Sequence, residues 1–184
     1  MAARLFARPP FAGVIDPPVD LQFDMRDVFP ATHWAVRGEP PAFDTPDEDV
    51  YLNGRNVILL SKAAVYMEAA VARERSDRIT LLLGTLAGNP FPDATPEFFT
   101  AMGRALSLGL GTPVAVEAPF AALDKADVIK RGIELGVPLE LTLSCMQPKD
   151  GRHCGRCSKC RERRDAFKDA GVADPTSYRH TPIR

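Results

Sequence analysis

The sequence carries almost no excess charge: 23 Lys and Arg stand against 24 Asp and Glu in 184 residues, a net charge of −1. That balance gives no global reason to bind nucleic acid or an anionic membrane. No apolar run approaches the ~20 residues that span a bilayer. The opening MAARLFARPPFAG has no hydrophobic region before Pro9-Pro10, which argues against a signal peptide. The expected compartment is the cytoplasm. Cysteine is absent outside residues 145–160, so the chain lacks the dispersed pairs with which a secreted fold closes long loops. No internal repeat is visible. What remains is ordinary globular chain, 45% hydrophobic. It amounts to one domain, or one domain and an arm, able to bury roughly 70% of the surface its unfolded form exposes.

Eight of the 17 prolines fall within residues 1–46. Pro9-Pro10, Pro17-Pro18 and Pro40-Pro41 exclude long helices there. Residues 1–50 therefore read as a proline-rich arm with one strand, Val19–Met25, where apolar and polar residues alternate. From Tyr51 to Arg184 the texture is α/β. Asn56–Ala72 is helical in composition. Arg78–Gly84 (RITLLLG) has the look of a buried parallel strand. Thr95-Pro96-Glu97 starts a helix, with Thr as N-cap, Pro at the first position and an acid in the first turn. That helix is expected to stop at Gly109. Pro113–Pro119 is a second strand. Asp124 can cap a helix over Lys125–Leu135, with Gly136 as its stop, and a last helix spans Ser158–Ala170. Helices alternating with strands imply a layered parallel sheet with flanking helices and right-handed crossovers.

The cysteines are spaced Cys145-x8-Cys154-x2-Cys157-x2-Cys160. Two residues between cysteines let one tight turn aim both sulfurs at one ion, and Gly155 gives the first such turn its freedom. The longer loop, with Pro148 and Gly151, returns Cys145 to complete four donors for a tetrahedral Zn²⁺. Arg152, Arg156, Lys159 and Arg161 offset the charge of a four-thiolate site. The bland alternatives are free thiols or two disulfides, which three cysteines within seven residues make strained. A [4Fe–4S] cluster is a further alternative. Four protein ligands close the coordination sphere, so such a zinc is structural. His153, beside a ligand, is expected to face solvent.

This segment resembles the C-terminal zinc segment of the 7-cyano-7-deazaguanine synthase family of queuosine biosynthesis. Over Leu123–Asp174, the Lys-x-x-[Ile/Val] helix, LGVP, Ser144-Cys145, Cys154-Gly155-x-Cys157-x-x-Cys160-x-x-Arg163 and Ala166-Phe167 all resemble that family. YLNGRN at Tyr51–Asn56 is similar to its Pro-Gly-Arg-Asn turn, with Asn53 where Pro is usual. Pro92-Asp93 and Pro96-Glu97-Phe98 resemble its Tyr-Pro-Asp-Cys-Arg-Pro-Glu-Phe stretch, with Phe91 for Tyr and Ala94-Thr95 for Cys-Arg. The likeness covers roughly residues 20–175. It implies an adenine-nucleotide α-hydrolase-like fold and an ATP-dependent carbon–nitrogen ligase. In that reaction, 7-carboxy-7-deazaguanine and ammonia give the nitrile through an acyl-adenylate, with Mg²⁺ on the pyrophosphate. The family's Ser-Gly-Gly-x-Asp-Ser phosphate loop does not occur in these residues. The fold is thus expected to be incomplete at its N-terminus. The chain would be a truncated or split form, inactive until an upstream extension or a partner chain supplies the loop, and a homodimer is the other expected assembly.

Under that resemblance, Arg55 and Lys125, each at a helix start, are the catalytic cations for the phosphate. Gly54 allows the tight turn and Asn56 bonds either backbone or ribose, which makes both candidate nucleotide-binding residues. Asp93 accepts hydrogen bonds from the substrate's amine-bearing edge, or initiates the turn before Thr95. Phe91 stacks on the heterocycle, or simply packs. Arg161, Arg163 and Arg164 face a phosphate, or form a solvated face; Trp34 closes over a pocket, or packs. Cys145, Cys154, Cys157 and Cys160 are the metal ligands. Competing readings are a non-catalytic, zinc-stabilised partner of another ATP pyrophosphatase and a related adenylating enzyme such as a tRNA-thiolation protein. A zinc-ribbon nucleic-acid binder is disfavoured by the net charge and by the lack of a second cysteine pair on a β-ribbon.

Overall fold

A computed structural model describes residues 2–70 and 78–180. The chain divides into two compact units, residues 51–124 and residues 1–50 together with 125–184.

The unit from Tyr51 to Asp124 is built on helix α3 (Arg55–Ala70), strand β1 (Ile79–Leu82), helix α4 (Pro96–Leu110) and strand β2 (Val114–Glu117). The last two residues of the helix expected over 56–72 lie outside the described residues. β1 and β2 pair in parallel, Ile79 opposite Val114 and Leu82 opposite Glu117. Parallel pairing requires a crossover, and α4 supplies it. Leu60 and Ala64 of α3 meet Ile79, Leu81 and Val114 in the core, with Met102 and Leu106 of α4 against them.

The start of α4 follows its sequence signals. Thr95 Oγ1 accepts from the Phe98 amide at 3.1 Å and Pro96 occupies the first turn. The end does not. Gly109 stays helical and the helix closes at Gly111, whose φ of 70° is left-handed. Apolar spacing persists through Leu110, and the first glycine that must reverse the chain is the later one. Gly103 lets α4 sit close on the sheet: a Cβ there would lie 3.1 Å from the Val114 carbonyl oxygen. Ser107 Oγ then donates to the Gly103 carbonyl and accepts from the Val114 amide at 2.8 Å.

The other unit contains short helices α1 (Ala2–Phe6) and α2 (Trp34–Arg37), then α5 (Lys125–Glu134) and α6 (Ser158–Asp169). α5 and α6 pack on one another. Val19–Met25, expected as a strand, has no regular structure, and Val19, Leu21 and Phe23 are exposed. Alternation alone gives no ladder without a partner strand. Later parts of the arm pack onto α6: the Pro41 carbonyl accepts from Ser158 N, and the Thr45 carbonyl from Arg161 Nη2. Among the described residues, no helix is long and apolar enough to cross a membrane.

Candidate functional site

The cysteine segment folds as a knuckle. Asp150 and Gly151 both have positive φ, 53° and 71°, and form the tip of a tight hairpin in which Lys149 and Arg152 exchange backbone hydrogen bonds. This reverses the chain and returns Cys154 to Cys145. At Gly155, φ is 81°, and a Cβ would come within 2.6 Å of the His180 carbonyl oxygen. Only glycine fits there, on two counts. Cys157 precedes the first turn of α6 and Cys160 lies within it.

The four sulfurs lie within 4.8 Å of one another, and all four cysteines are buried. Cys154 Sγ is 3.8 Å from Cys160 Sγ, and Cys157 Sγ is 3.5 Å from it. Four thiolates at 2.3 Å from an ion define a tetrahedron with edges of about 3.8 Å. A disulfide requires about 2.05 Å, and all four cysteines are free thiols. Backbone amides point at the sulfurs: Cys154 and Gln147 donate to Cys145 Sγ at 3.1 and 3.3 Å, and Arg156 to Cys154 Sγ at 3.4 Å. Such donors favour thiolate. The hydrogen bond between Cys157 and Cys160 holds the Cys157 pKa at about 4 and pushes that of Cys160 up; burial raises Cys145. The donor set fits a metal ion.

Two neighbours depart from the expectations. His153 is buried, not solvent-facing. Its backbone pairs with Ser177 and Arg179, and its Nε2 accepts from the Ser144 amide at 3.1 Å. Burial lowers its pKa, Arg163 adding to the effect, so the ring is a neutral structural acceptor. Arg163, expected to face a phosphate or to belong to a solvated face, is buried and bonded to protein oxygens. The missed signal is spacing: Cys160, Arg163 and Phe167 recur on one face of α6, the buried one.

The other candidates divide between the two units. Gly54, with φ 72°, turns the chain into α3, and its carbonyl accepts from Ile58 N. Arg55 is exposed at the first helical position. Asn56 is 5% exposed. Its amide N–H donates to Asp93 Oδ2 at 3.0 Å and its side-chain nitrogen to the Asp93 carbonyl at 2.9 Å. The side chain of Asn56 thus bonds backbone, at Asp93 and not within its own turn. Phe91 stacks on Tyr51, ring centroids 4.7 Å apart and planes 17° from parallel. The structure thus brings Gly54, Arg55 and Asn56 to Asp93, with Phe91 two residues from Asp93.

Lys125 belongs to the other unit. A lysine in a first helical turn opposes the helix dipole, and its anion here is Glu162 of α6. Glu162 also pairs with Lys159, so one carboxylate serves two ammonium groups. Trp34 packs beside His33, ring centroids 5.5 Å apart.

Parallel strands flanked by helices, together with a C-terminal four-cysteine segment able to hold a metal, define a mixed α/β protein. The family model described as "Queuosine biosynthesis protein QueC" matches residues 40–171, and the chain belongs to that family. It is 40% identical over 134 residues to the 7-cyano-7-deazaguanine synthase of Azoarcus sp. (strain BH72), covering 70% of this chain and 57% of that protein. It is 37% identical over 153 residues to that of Thermoplasma volcanium, covering 78% and 61%, and 39% identical over 132 residues to that of Methanoculleus marisnigri, covering 70% and 56%. The chain therefore spans less than two thirds of the length of these relatives.

Proposed function

We propose that this chain forms the larger part of a 7-cyano-7-deazaguanine synthase and acts once a phosphate-binding loop completes it. The observation that carries the reading is the family match over residues 40–171, which contains all four cysteines, the Gly54-Arg55-Asn56 turn and Asp93. In the proposed reaction the carboxylate of 7-carboxy-7-deazaguanine attacks the α-phosphate of ATP and pyrophosphate leaves. Ammonia displaces AMP to give the amide. A second ATP adenylates the amide oxygen, and loss of AMP leaves the nitrile.

Each residue has a part in this reading. Arg55, exposed at the start of α3, meets the phosphate as charge builds in the transition state. Gly54 lets the backbone approach the nucleotide, and Asn56 fixes the turn through Asp93. Asp93 offers its remaining carboxylate oxygen to the amine-bearing edge, and Phe91, backed by Tyr51, gives a flat surface for the heterocycle. Lys125 is the second cation, exchanging Glu162 for phosphate when ATP binds. The four cysteines hold a structural Zn²⁺ with no open position, and Mg²⁺ accompanies the pyrophosphate. The Ser-Gly-Gly-x-Asp-Ser loop comes from a preceding segment or a partner chain; a chain that only completes a partner's site is the second reading.

A complementation assay tests it. The 184-residue chain alone should bind Mg-ATP weakly and release no pyrophosphate. With a loop-bearing segment supplied, ATP, ammonium and 7-carboxy-7-deazaguanine should give two pyrophosphates per nitrile. Micromolar ATP affinity of the chain alone, or no nitrile from the complemented enzyme, would overturn the reading.

A further inference from the structure

Arg163 lies on α6 three residues after Cys160 and is 8% exposed. Its guanidinium ties two separate segments to α6. Nη1 donates to Thr142 Oγ1 at 2.9 Å and Ser144 Oγ at 3.3 Å, and Nη2 to the Leu139 carbonyl at 2.9 Å. Nε donates to Thr176 Oγ1. The Asp174 carboxylate lies 3.8 Å away, and the Phe167 ring sits beneath the guanidinium, 5.0 Å from its centroid.

Both segments adjoin cysteines of the cluster, and α6 holds the other two. Residues 139–144 run directly into Cys145. Residues 174–179 pair with His153, the neighbour of Cys154: the Ser177 carbonyl accepts from His153 N at 2.9 Å, and the His153 carbonyl from Arg179 N at 2.7 Å. α6 itself carries Cys160 and begins at Cys157. Ser144 closes the circuit, its amide donating to His153 Nε2. Tyr178 covers the sulfur cluster and donates to Asp174 Oδ2 at 2.6 Å.

A buried guanidinium is costly to desolvate, and an apolar side chain of similar volume often stabilises a core as well or better. What a guanidinium adds is a rigid planar fork with several donors in fixed directions. Here the fork ties together parts of the chain that no local turn connects. We propose that Arg163 is a positioning residue for the metal centre: it sets the separation of Cys145, Cys154 and the Cys157–Cys160 pair, and thereby the affinity and tetrahedral geometry of the site. This rests on the metal-binding reading of the four cysteines and is independent of the ligase reading.

The test is zinc affinity by chelator competition, together with the visible spectrum of the Co²⁺-substituted chain, whose ligand-field bands report tetrahedral geometry. Parental chain, Arg163→Ala, Arg163→Lys and the exposed control Lys168→Ala are compared. Arg163→Ala should bind zinc about 10–100-fold more weakly, the loss typical when a group that orients metal ligands is removed. Its cobalt bands should weaken. Arg163→Lys should not restore either readout, because one ammonium cannot span the acceptors; Lys168→Ala should match the parent. If Arg163→Ala does not fold, Thr142→Val with Ser144→Ala removes the acceptors next to Cys145, and the same two readouts should fall. Parental affinity and an unchanged cobalt spectrum in a folded Arg163→Ala chain, or in the double variant, would overturn the proposal. Failure of the parental chain to bind zinc or cobalt would remove the metal reading and the proposal together, leaving the ligase reading to the complementation assay.

Discussion

Asn56 donates twice to Asp93: its backbone amide to the carboxylate and its side chain to the backbone carbonyl. They join the first turn of α3 to the 3-10 turn Pro92–Ala94 ahead of α4. Both residues are buried, so Asn56→Ala leaves the Asp93 carbonyl without its donor and Asp93→Ala leaves the Asn56 amide without its acceptor. Each should cost about 1–3 kcal/mol. The two variants remove different bonds, so the double variant should cost close to the sum, read by urea unfolding. Parental stability in either single variant would show that its bond does not hold the two turns together.

Arg55 and Lys125 should separate chemistry from folding. In the complemented enzyme, Arg55→Ala should lower kcat and kcat/KM together by roughly 10²–10³-fold, the usual contribution of one preorganised charge. Its melting temperature should stay near the parent's, since exposed substitutions typically shift stability by about 0.5 kcal/mol or less. Lys168→Ala, an exposed cation of α6, is the control. Full turnover by the Arg55 variant would leave the Gly54-Arg55-Asn56 turn as scaffold only.

Glu162 competes with phosphate for Lys125 if Lys125 is the second cation. Glu162→Gln should then tighten Mg-ATP binding by the complemented enzyme while Lys125→Ala weakens it, measured by calorimetry. Weaker ATP binding in Glu162→Gln would mean that the carboxylate aims the lysine. Unchanged binding in both variants would place the pair outside the nucleotide site.

Much of this was legible in the residues. Thr95-Pro96 marked the start of α4, the short apolar runs marked two parallel strands, and the cysteine spacing marked a four-sulfur cluster. The misses share a physical cause, which is dependence on distant partners. His153 reads as exposed until Ser177 pairs with it, and Arg163 reads as one of a charge run until Leu139, Thr142 and Thr176 surround it. Phe91 and Asn56 offered two readings each because stacking on Tyr51 and bonding to Asp93 are tertiary facts.

Gly155 gives a backbone test of the knuckle. Any Cβ there combines a left-handed φ with a collision against the His180 carbonyl oxygen. Gly155→Ala should destabilise the chain by about 1–3 kcal/mol and increase the rate of zinc release to a chelator. Gly38→Ala also meets a left-handed φ, but its Cβ would find open space. It should strain the backbone without changing zinc release. Equal release rates in the two variants would mean that the close approach at Gly155 does not shape the centre.

The four-sulfur centre is tested most directly by native mass spectrometry of the chain purified without added metal, beside Cys157→Ser. One zinc per chain is expected, with loss of metal and a lower melting temperature in the variant, because bound metal contributes folding free energy. Release should increase as pH falls, since protons compete with the metal for the thiolates. A metal-free chain with four freely titrating thiols and an unaltered melting temperature in Cys157→Ser would contradict it.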